Sequence, residues 1–241
     1  MNEKRIWEKL WSEKEYGELM KRRALGQEPE MEQIKQLTKL VRKVYRPGMK
    51  VLDVGCGVGH FYPSLKKIDK NISYVGVDVS ERYLKLARRI FAGEKNVKLG
   101  KEDIFDMKFK DGSFDIVICY MVLPFIPNWR NAVKELVRVT KKHLFIRLLL
   151  SDYTYIIQIY KKGHAEDAPY EYYNIYSEKE FVDQLKASGA GAVRVLEDGV
   201  KIKMKKKKEL PFSTYTHGKM QIIGNIVLTW KVVHANKGGR T

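Results

Sequence analysis

Cysteine is scarce in this 241-residue chain, with only Cys56 and Cys119, each inside an apolar run. Thiols in such runs are ordinarily buried, so a disulfide framework and a cysteine-based metal site are both excluded as organising features, and no metal is expected. Long apolar runs are also missing. None approaches the roughly 18 to 20 residues needed to cross a bilayer, and the charged start MNEKRIWEKLW has no apolar signal-peptide core, so a cytoplasmic location is expected. The third shortage is of acid: 29 Asp and Glu stand against 46 Lys and Arg, a formal net charge of +17. Such an excess points to a polyanionic partner, because each cation that neutralises a phosphate releases a counterion. Solubility or the lysine-rich habit of thermophile proteins is the plainer account, but thermophile enrichment usually raises Glu together with Lys.

Hydrophobic residues at 44% and aromatics at 11% are enough for a real core, which excludes a disordered basic tail. Residues 3–45 are predicted to be helical, because Ile6, Leu10 and then Ile34, Leu37, Leu40, Val41 and Val44 recur at three- and four-residue spacing, with a break at Gly26 to Pro29. Strands and helices then alternate. Strands are predicted over 51–54, 73–79, 96–100, 114–120 and 143–150, and helices over 81–91 and 131–139, which implies βαβ units and a parallel sheet covered on both faces. A Tyr-rich connection follows, then a helix starting at Ser177, where Ser-Glu-Lys-Glu suggests a capping box. Late strands are expected over 192–196 and 222–233, separated by the lysine run 201–208 and the polar stretch 213–218.

The sharpest motif is VLDVGCGVGHFY, in which Asp53 ends the first buried strand and Gly55, Gly57 and Gly59 form the turn into the next helix. A dinucleotide fingerprint beginning at Gly55 would need a third glycine at 60, which is His60, and Asp53 would place a carboxylate where phosphates sit. An acid before G-x-G-x-G suits a ligand carrying an amine and a sulfonium instead. Asp78 and Val79 end the second strand, where a carboxylate can accept from both hydroxyls of a ribose. Glu102, Asp103 and Ile104 follow the third strand, where an acid beside an apolar residue suits an adenine amino group. Each acid alone is explained as readily by a helix cap or a solvated loop, but three acids at three successive strand ends share one crevice.

With these motifs the chain resembles the class I S-adenosylmethionine-dependent methyltransferases: VLDVGCGVGHF resembles their first motif, YVGVDVS their second, KEDIFDMKF their third, and the segment FDIVICY to HLFI their fourth strand, helix and fifth strand. The resemblance is strong over 45–150 and weaker over 170–233. It implies an α/β fold with a seven-stranded, mostly parallel sheet, helices on both faces and an antiparallel last strand, for which 226–233 is the candidate. The whole of 1–241 is expected to form one methyltransferase domain, with 1–45 as an N-terminal helical cap, 46–150 as the cofactor-binding half and 151–241 as the substrate-side half. It further implies S-adenosylmethionine as cofactor, held by Asp53, Gly55, Cys56, Gly57, Gly59 and His60 at the methionine end, Asp78 and Val79 at the ribose, Glu102, Asp103 and Ile104 at the adenine, and Tyr120 beside them.

Methyl transfer from a sulfonium is an in-line displacement that needs alignment more than a strong base. The segment after the fourth strand should supply that alignment, and Tyr120, Leu123, Pro124 and Phe125 are its candidates. In the commonest small-molecule branch of the family the positions of Pro124 and Phe125 are often histidines. Their absence weakens oxygen or carbon methylation. The amino-methyltransferases of adenine and cytosine offer a partial match, with Tyr120 as the polar residue, the Leu123 carbonyl as acceptor and Phe125 as a stacking ring. Phe125 packing beneath the next helix is the plainer alternative. Tyr16, with Trp7 and Trp11, is a candidate lid, and Tyr172, Tyr173 and Tyr176 are candidates for stacking a flipped or single-stranded base. Lys201, Lys203 and Lys205 would project to one face of a strand, and with the other basic clusters they suit RNA. The expectation is therefore a methyltransferase acting on ribosomal or transfer RNA, at a base nitrogen. A small-molecule methyltransferase and a non-catalytic RNA-binding module with the same fold are the alternatives.

Overall fold

A computed structural model describes residues 14–159, 171–198, 205–206, 214–217, 220–223 and 229–237. Two helices come first, α1 (Lys14–Ala24) and α2 (Glu32–Val44), separated by a turn in which Gly26 takes φ +70°. The apolar spacing in α2 works as its sequence dictates: Ile34, Leu37 and Val41 form its buried stripe. An alternating region follows, comprising β1 (Lys50–Val54), α3 (Tyr62–Lys66), β2 (Ser73–Asp78), α4 (Glu81–Ile90), β3 (Val97–Lys101), β4 (Phe114–Tyr120), α5 (Trp129–Val139) and β5 (Thr140–Ser151). The short pieces β6 (Gln158–Ile159), β7 (Glu171–Tyr172) and β8 (Tyr176–Ser177) lead to α6 (Glu178–Ala187) and β9 (Val193–Glu197). The Ser177 side chain accepts from the Glu180 amide at 3.4 Å, as a capping serine should, while the Glu180 carboxylate pairs with Arg130 instead of completing a capping box.

The main sheet runs β3-β2-β1-β4-β5-β13-β9, where β13 is Thr229–Asn236 and β8 adds to β5 off this path. Strands β1 to β5 pair in parallel, and β13 lies antiparallel to both β5 and β9. This is the expected seven-stranded path with an antiparallel last strand. Helices cover both faces. One face packs Leu52, Val117, Leu144 and Ile146 against α5 and α6, and the other packs Val51, Ile116, Ile118 and Phe145 against α1, α2 and α3. Strand order reverses between β1 and β4, which opens a crevice at their carboxyl ends.

The late region departs from expectation. The predicted strand over 222–233 is split: β12 (Met220–Ile223) pairs with β11 (Thr214–His217) in a separate three-stranded sheet with β10 (Lys205–Lys206), and β13 begins only at Thr229. The polar stretch read as a connection is thus a strand. Its residues Thr214, Tyr215 and Thr216 are β-branched or aromatic, and this suits a pleated surface despite their polarity.

Beside this antiparallel edge, Arg147 on β5 and Asp198 just past β9 form an ion pair whose side chains are only 4% and 5% exposed, with the guanidinium 4.1 Å from the Trp230 ring. Removing one member of a buried pair leaves the other charge uncompensated, at a cost of about 3 to 5 kcal/mol. Asp198→Ala is therefore expected to lower unfolding stability by that amount. Urea titration should show a lower midpoint with an unchanged slope, since the surface exposed on unfolding stays the same.

Candidate active site

The turn after β1 is pinned to β2. The Gly55 and Cys56 amides both donate to the Val77 carbonyl, at 2.8 and 3.0 Å, and the Gly57 amide donates to Asp78 Oδ2 at 2.8 Å. Gly55 takes φ +73°, and a Cβ there would lie 2.3 Å from Val122 Cγ2. Only glycine gives both the backbone conformation and the space for the loop after β4 to close over the turn. Asp78 also accepts from the Ser80 amide at 2.8 Å. Burial pushes its carboxyl up while these amide bonds pull it down, with burial the stronger. An ionised carboxylate has about four acceptor positions, so capacity remains for a ligand hydroxyl.

This turn borders a cavity of about 1190 Å³. Its lining takes Val54 and Gly55 from the end of β1, Asp78 and Val79 from β2, Glu102, Asp103 and Ile104 after β3, and Tyr120, Met121, Val122 and Phe125 from β4 and the loop beyond it. Of the three strand ends whose acids are expected to share one crevice, the second and third do so through Asp78 and the pair Glu102 and Asp103, whereas Asp53 at the first is not part of the lining. Met20 and Arg23 of α1, and Met31 and Gln33 at the start of α2, complete the wall. Met121 holds φ +59°, an uncommon conformation for a residue with a side chain, at the strand end facing the cavity.

Two polar atoms on this wall have no hydrogen-bond partner among the described residues: His60 Nδ1 and the Tyr120 hydroxyl. The Phe61 ring meets both rings edge-on, 4.5 Å from His60 and 5.6 Å from Tyr120, centroid to centroid. Burial, reinforced by Arg23, pushes the imidazole down to about 4, so it is neutral near pH 7. Burial likewise raises the Tyr120 phenol, which stays protonated. Leaving a buried polar atom unpaired costs about 1 to 3 kcal/mol, a cost that a bound ligand group would offset.

The loop after β4 corrects the base-binding expectation. The Leu123 carbonyl, expected to accept from a base amine, already accepts the Tyr176 hydroxyl at 2.5 Å. The Pro124 carbonyl accepts the Asn174 amide at 2.7 Å, and the Ile126 carbonyl accepts Asn174 Nδ2 at 2.9 Å. Leu123 and Pro124 are buried and lie off the cavity lining. Tyr176 is not a base-stacking ring either: it is fully buried against Trp129 and Phe181, at centroid distances of 5.0 and 6.3 Å. Tyr172 is also buried, while Tyr173 meets Phe125 edge-on at 5.6 Å.

The sequence profile of a methyltransferase domain matches residues 52–146. A crystal structure of a methyltransferase from Thermotoga maritima, described as a possible histamine N-methyltransferase, superposes over 97% of this chain and 99% of its own with a TM-score of 0.56 at 20% identity. A methyltransferase from Clostridium acetobutylicum superposes over 93% and 98% with a TM-score of 0.62 at 12% identity. Residues 52–146 thus match a methyltransferase domain, and the chain shares the fold of these S-adenosylmethionine-dependent enzymes. Demethylmenaquinone methyltransferase of Staphylococcus aureus is 38% identical over 97 residues, which is 40% of each chain. The chain thus spans about 40% of the length of the curated relatives it matches.

Gly55, His60, Asp78, Val79, Glu102, Asp103, Ile104, Tyr120 and Phe125 line the cavity, whereas Asp53, Cys56, Gly57 and Gly59 are not part of its lining. Asp53, expected at the methionine end, is 2% exposed and accepts the Tyr74 hydroxyl at 2.6 Å, so it braces the turn from below. Cys56 is buried, its sulfur closing on the space beside Gly76. Lys201 and Lys203, Trp7 and Trp11 lie outside the described residues, as do the side chains of Tyr16 and Lys205. Sequence reasoning missed Met20, Arg23, Met31, Phe61 and Met121. The amphipathic spacing of α1 marks Met20 as buried but cannot say that its neighbour faces a cavity built by β1 and β4.

Burial, aided by Asp78, pushes the Asp53 carboxyl up to about 7 even though the Tyr74 bond pulls the other way. A folded value above the unfolded one near 3.8 means that the native state binds more protons between pH 4 and 7. Asp53 therefore contributes stability that is fully present below about pH 4 and is lost as pH rises through about 7, at up to about 1.4 kcal/mol per pH unit. Denaturant titrations across this window are expected to show that slope in the wild type and a clearly flatter one in Asp53→Asn.

Proposed function

We propose that the protein transfers a methyl group from S-adenosylmethionine to a small, largely apolar molecule bound in the same crevice. The observation that carries this reading is the continuity of the cavity. The acids expected for the cofactor and an apolar wall of Met20, Met31, Phe61, Met121 and Phe125 enclose one space of about 1190 Å³. Single-ligand pockets typically measure about 300 to 1,000 Å³, so the space suits a cofactor and a small acceptor together. The curated relatives point the same way, being named for demethylmenaquinone, a small molecule.

The residues fit the cofactor. Asp78 has acceptor capacity for the ribose hydroxyls, Asp103 and Ile104 border the adenine end, and the turn from Gly55 to His60 borders the methionine end. When bound, S-adenosylmethionine supplies an electrophilic methyl carbon whose bond to sulfur breaks with the electron pair staying on sulfur. The protein's own part is to align the acceptor and exclude water, which the packed α1, Phe61 and Phe125 do.

The net charge of +17 favours a second reading, with RNA as the acceptor. Three basic and four acidic side chains line the cavity, so the excess charge lies elsewhere on the surface. Calorimetry is expected to show S-adenosylmethionine binding to the wild type and at least about tenfold weaker binding to Asp78→Ala, the loss of a charge-assisted hydrogen-bond acceptor. Wild-type protein without binding would overturn the reading. Bulk RNA titrated at low and moderate salt separates the acceptors: steep salt dependence with methyl incorporation into RNA supports the second reading, and binding without incorporation supports an RNA-binding module.

A further inference from the structure

The part of the cavity wall formed by α1 and the turn after β1 offers hydrogen-bond donors and a cation. Arg22 is paired with Glu28 at 2.7 Å, and Lys108 is paired with Asp106. Arg23 lines the cavity, and among the described residues it reaches no carboxylate, its one contact being the Met20 sulfur at 3.8 Å. His60 and Tyr120, each packed against the Phe61 ring, add two buried polar atoms with no hydrogen-bond partner among the described residues.

We propose that Arg23, His60 and Tyr120 form the acceptor subsite and select a small molecule carrying a weakly acidic hydroxyl, a phenol or an enol, bound as its oxyanion. This rests on the reading of the crevice as a methyltransferase site for a small molecule. The neutral imidazole donates through its one N–H, the undissociated Tyr120 hydroxyl donates a second bond, and Arg23 supplies the opposite charge. The hydroxyl proton passes to bulk water before the methyl group is transferred, so no strong base is required, consistent with the non-basic Pro124 and Phe125 in the loop after β4. A protonated amine would meet Arg23 as a like charge and be disfavoured. The apolar body of the acceptor packs on Met20, Met31 and Phe61.

The test uses the full chain and 4-nitrophenol, whose ionised form is read directly by its visible absorption. At fixed pH, binding is expected to raise the phenolate fraction, corresponding to an ionisation constant increased about tenfold or more, one pKa unit. Arg23→Met should abolish the shift, Arg23→Lys should retain most of it, and Tyr120→Phe and His60→Phe should each reduce it. The neutral analogues 4-nitroanisole and 4-nitroaniline should bind more weakly. No nitrophenol binding, binding without an ionisation shift, equal affinity for 4-nitroaniline, or a shift preserved in Arg23→Met each overturns the proposal. Calorimetry with S-adenosylmethionine on the same proteins keeps the two failures apart. Loss of cofactor binding in the wild type would remove the methyltransferase reading, whereas intact cofactor binding without the phenolate shift removes the acceptor assignment alone.

Discussion

Two amides on one carbonyl hold this molecule's site together. Gly55 and Cys56 both donate to Val77, and Gly57 donates to Asp78, so the turn after β1 is hydrogen-bonded to the end of β2 and cannot move independently of it. From below, Tyr74 on β2 reaches Asp53 on β1 and clamps the same two strands at their interior. From above, the absent Cβ of Gly55 admits Val122, which brings the loop after β4 down onto the turn. Three strand ends are thereby registered to one another through a segment of about five residues, and the cavity is what remains between them.

The loop after β4 shows how a structural demand can occupy groups that chemistry might have used. A chain turning sharply after a buried strand exposes carbonyls to an apolar interior, and each must find a donor. Here Asn174 and Tyr176 answer for Leu123, Pro124 and Ile126. Once those carbonyls are satisfied from the rear, the face of the loop toward the cavity is side chain: Met121, Val122, Phe125 and Ile126. The apolar character of this side of the cavity is therefore a consequence of where the polar backbone has been directed.

Much of the fold was legible because its signals are local. Buried parallel strands read as short apolar runs, the glycine spacing marks the turn, and acids at the ends of β2 and β3 mark the crevice. The error over 222–233 arose where an apolar run served two strands in different sheets, a distinction made by pairing partners distant in sequence. The site was legible only where it lies on the motifs. Asp53 ends β1 as its sequence position implies, but it turns to Tyr74 instead of onto the cavity lining, since a carboxylate at a strand end can point up to the crevice or down to a tyrosine one strand over, and sequence does not encode that choice. Arg23 was invisible for the opposite reason: it follows Arg22 in a basic helix, and only the tertiary position of α1 separates the surface cation from the one on the cavity wall.

The charge of the chain and the polarity of its cavity obey different constraints. A net excess of +17 sets a long-range field that draws in anions of any size and repels cations, with a reach of about 10 Å at moderate salt. S-adenosylmethionine carries a cationic sulfonium, so on the function proposed above its capture draws on local acids, and Asp78, Glu102 and Asp103 line the cavity at the strand ends where the field would otherwise oppose binding. Across the same cavity Arg23 keeps the prevailing sign. A cavity so divided favours an acceptor that is anionic where the donor is cationic, and desolvation of the pair on apolar walls strengthens their attraction. On the function proposed above, charge excess bears on which small molecules enter as much as on nucleic acid, and the enclosed, sulfur- and aromatic-lined wall favours an acceptor small enough to be surrounded.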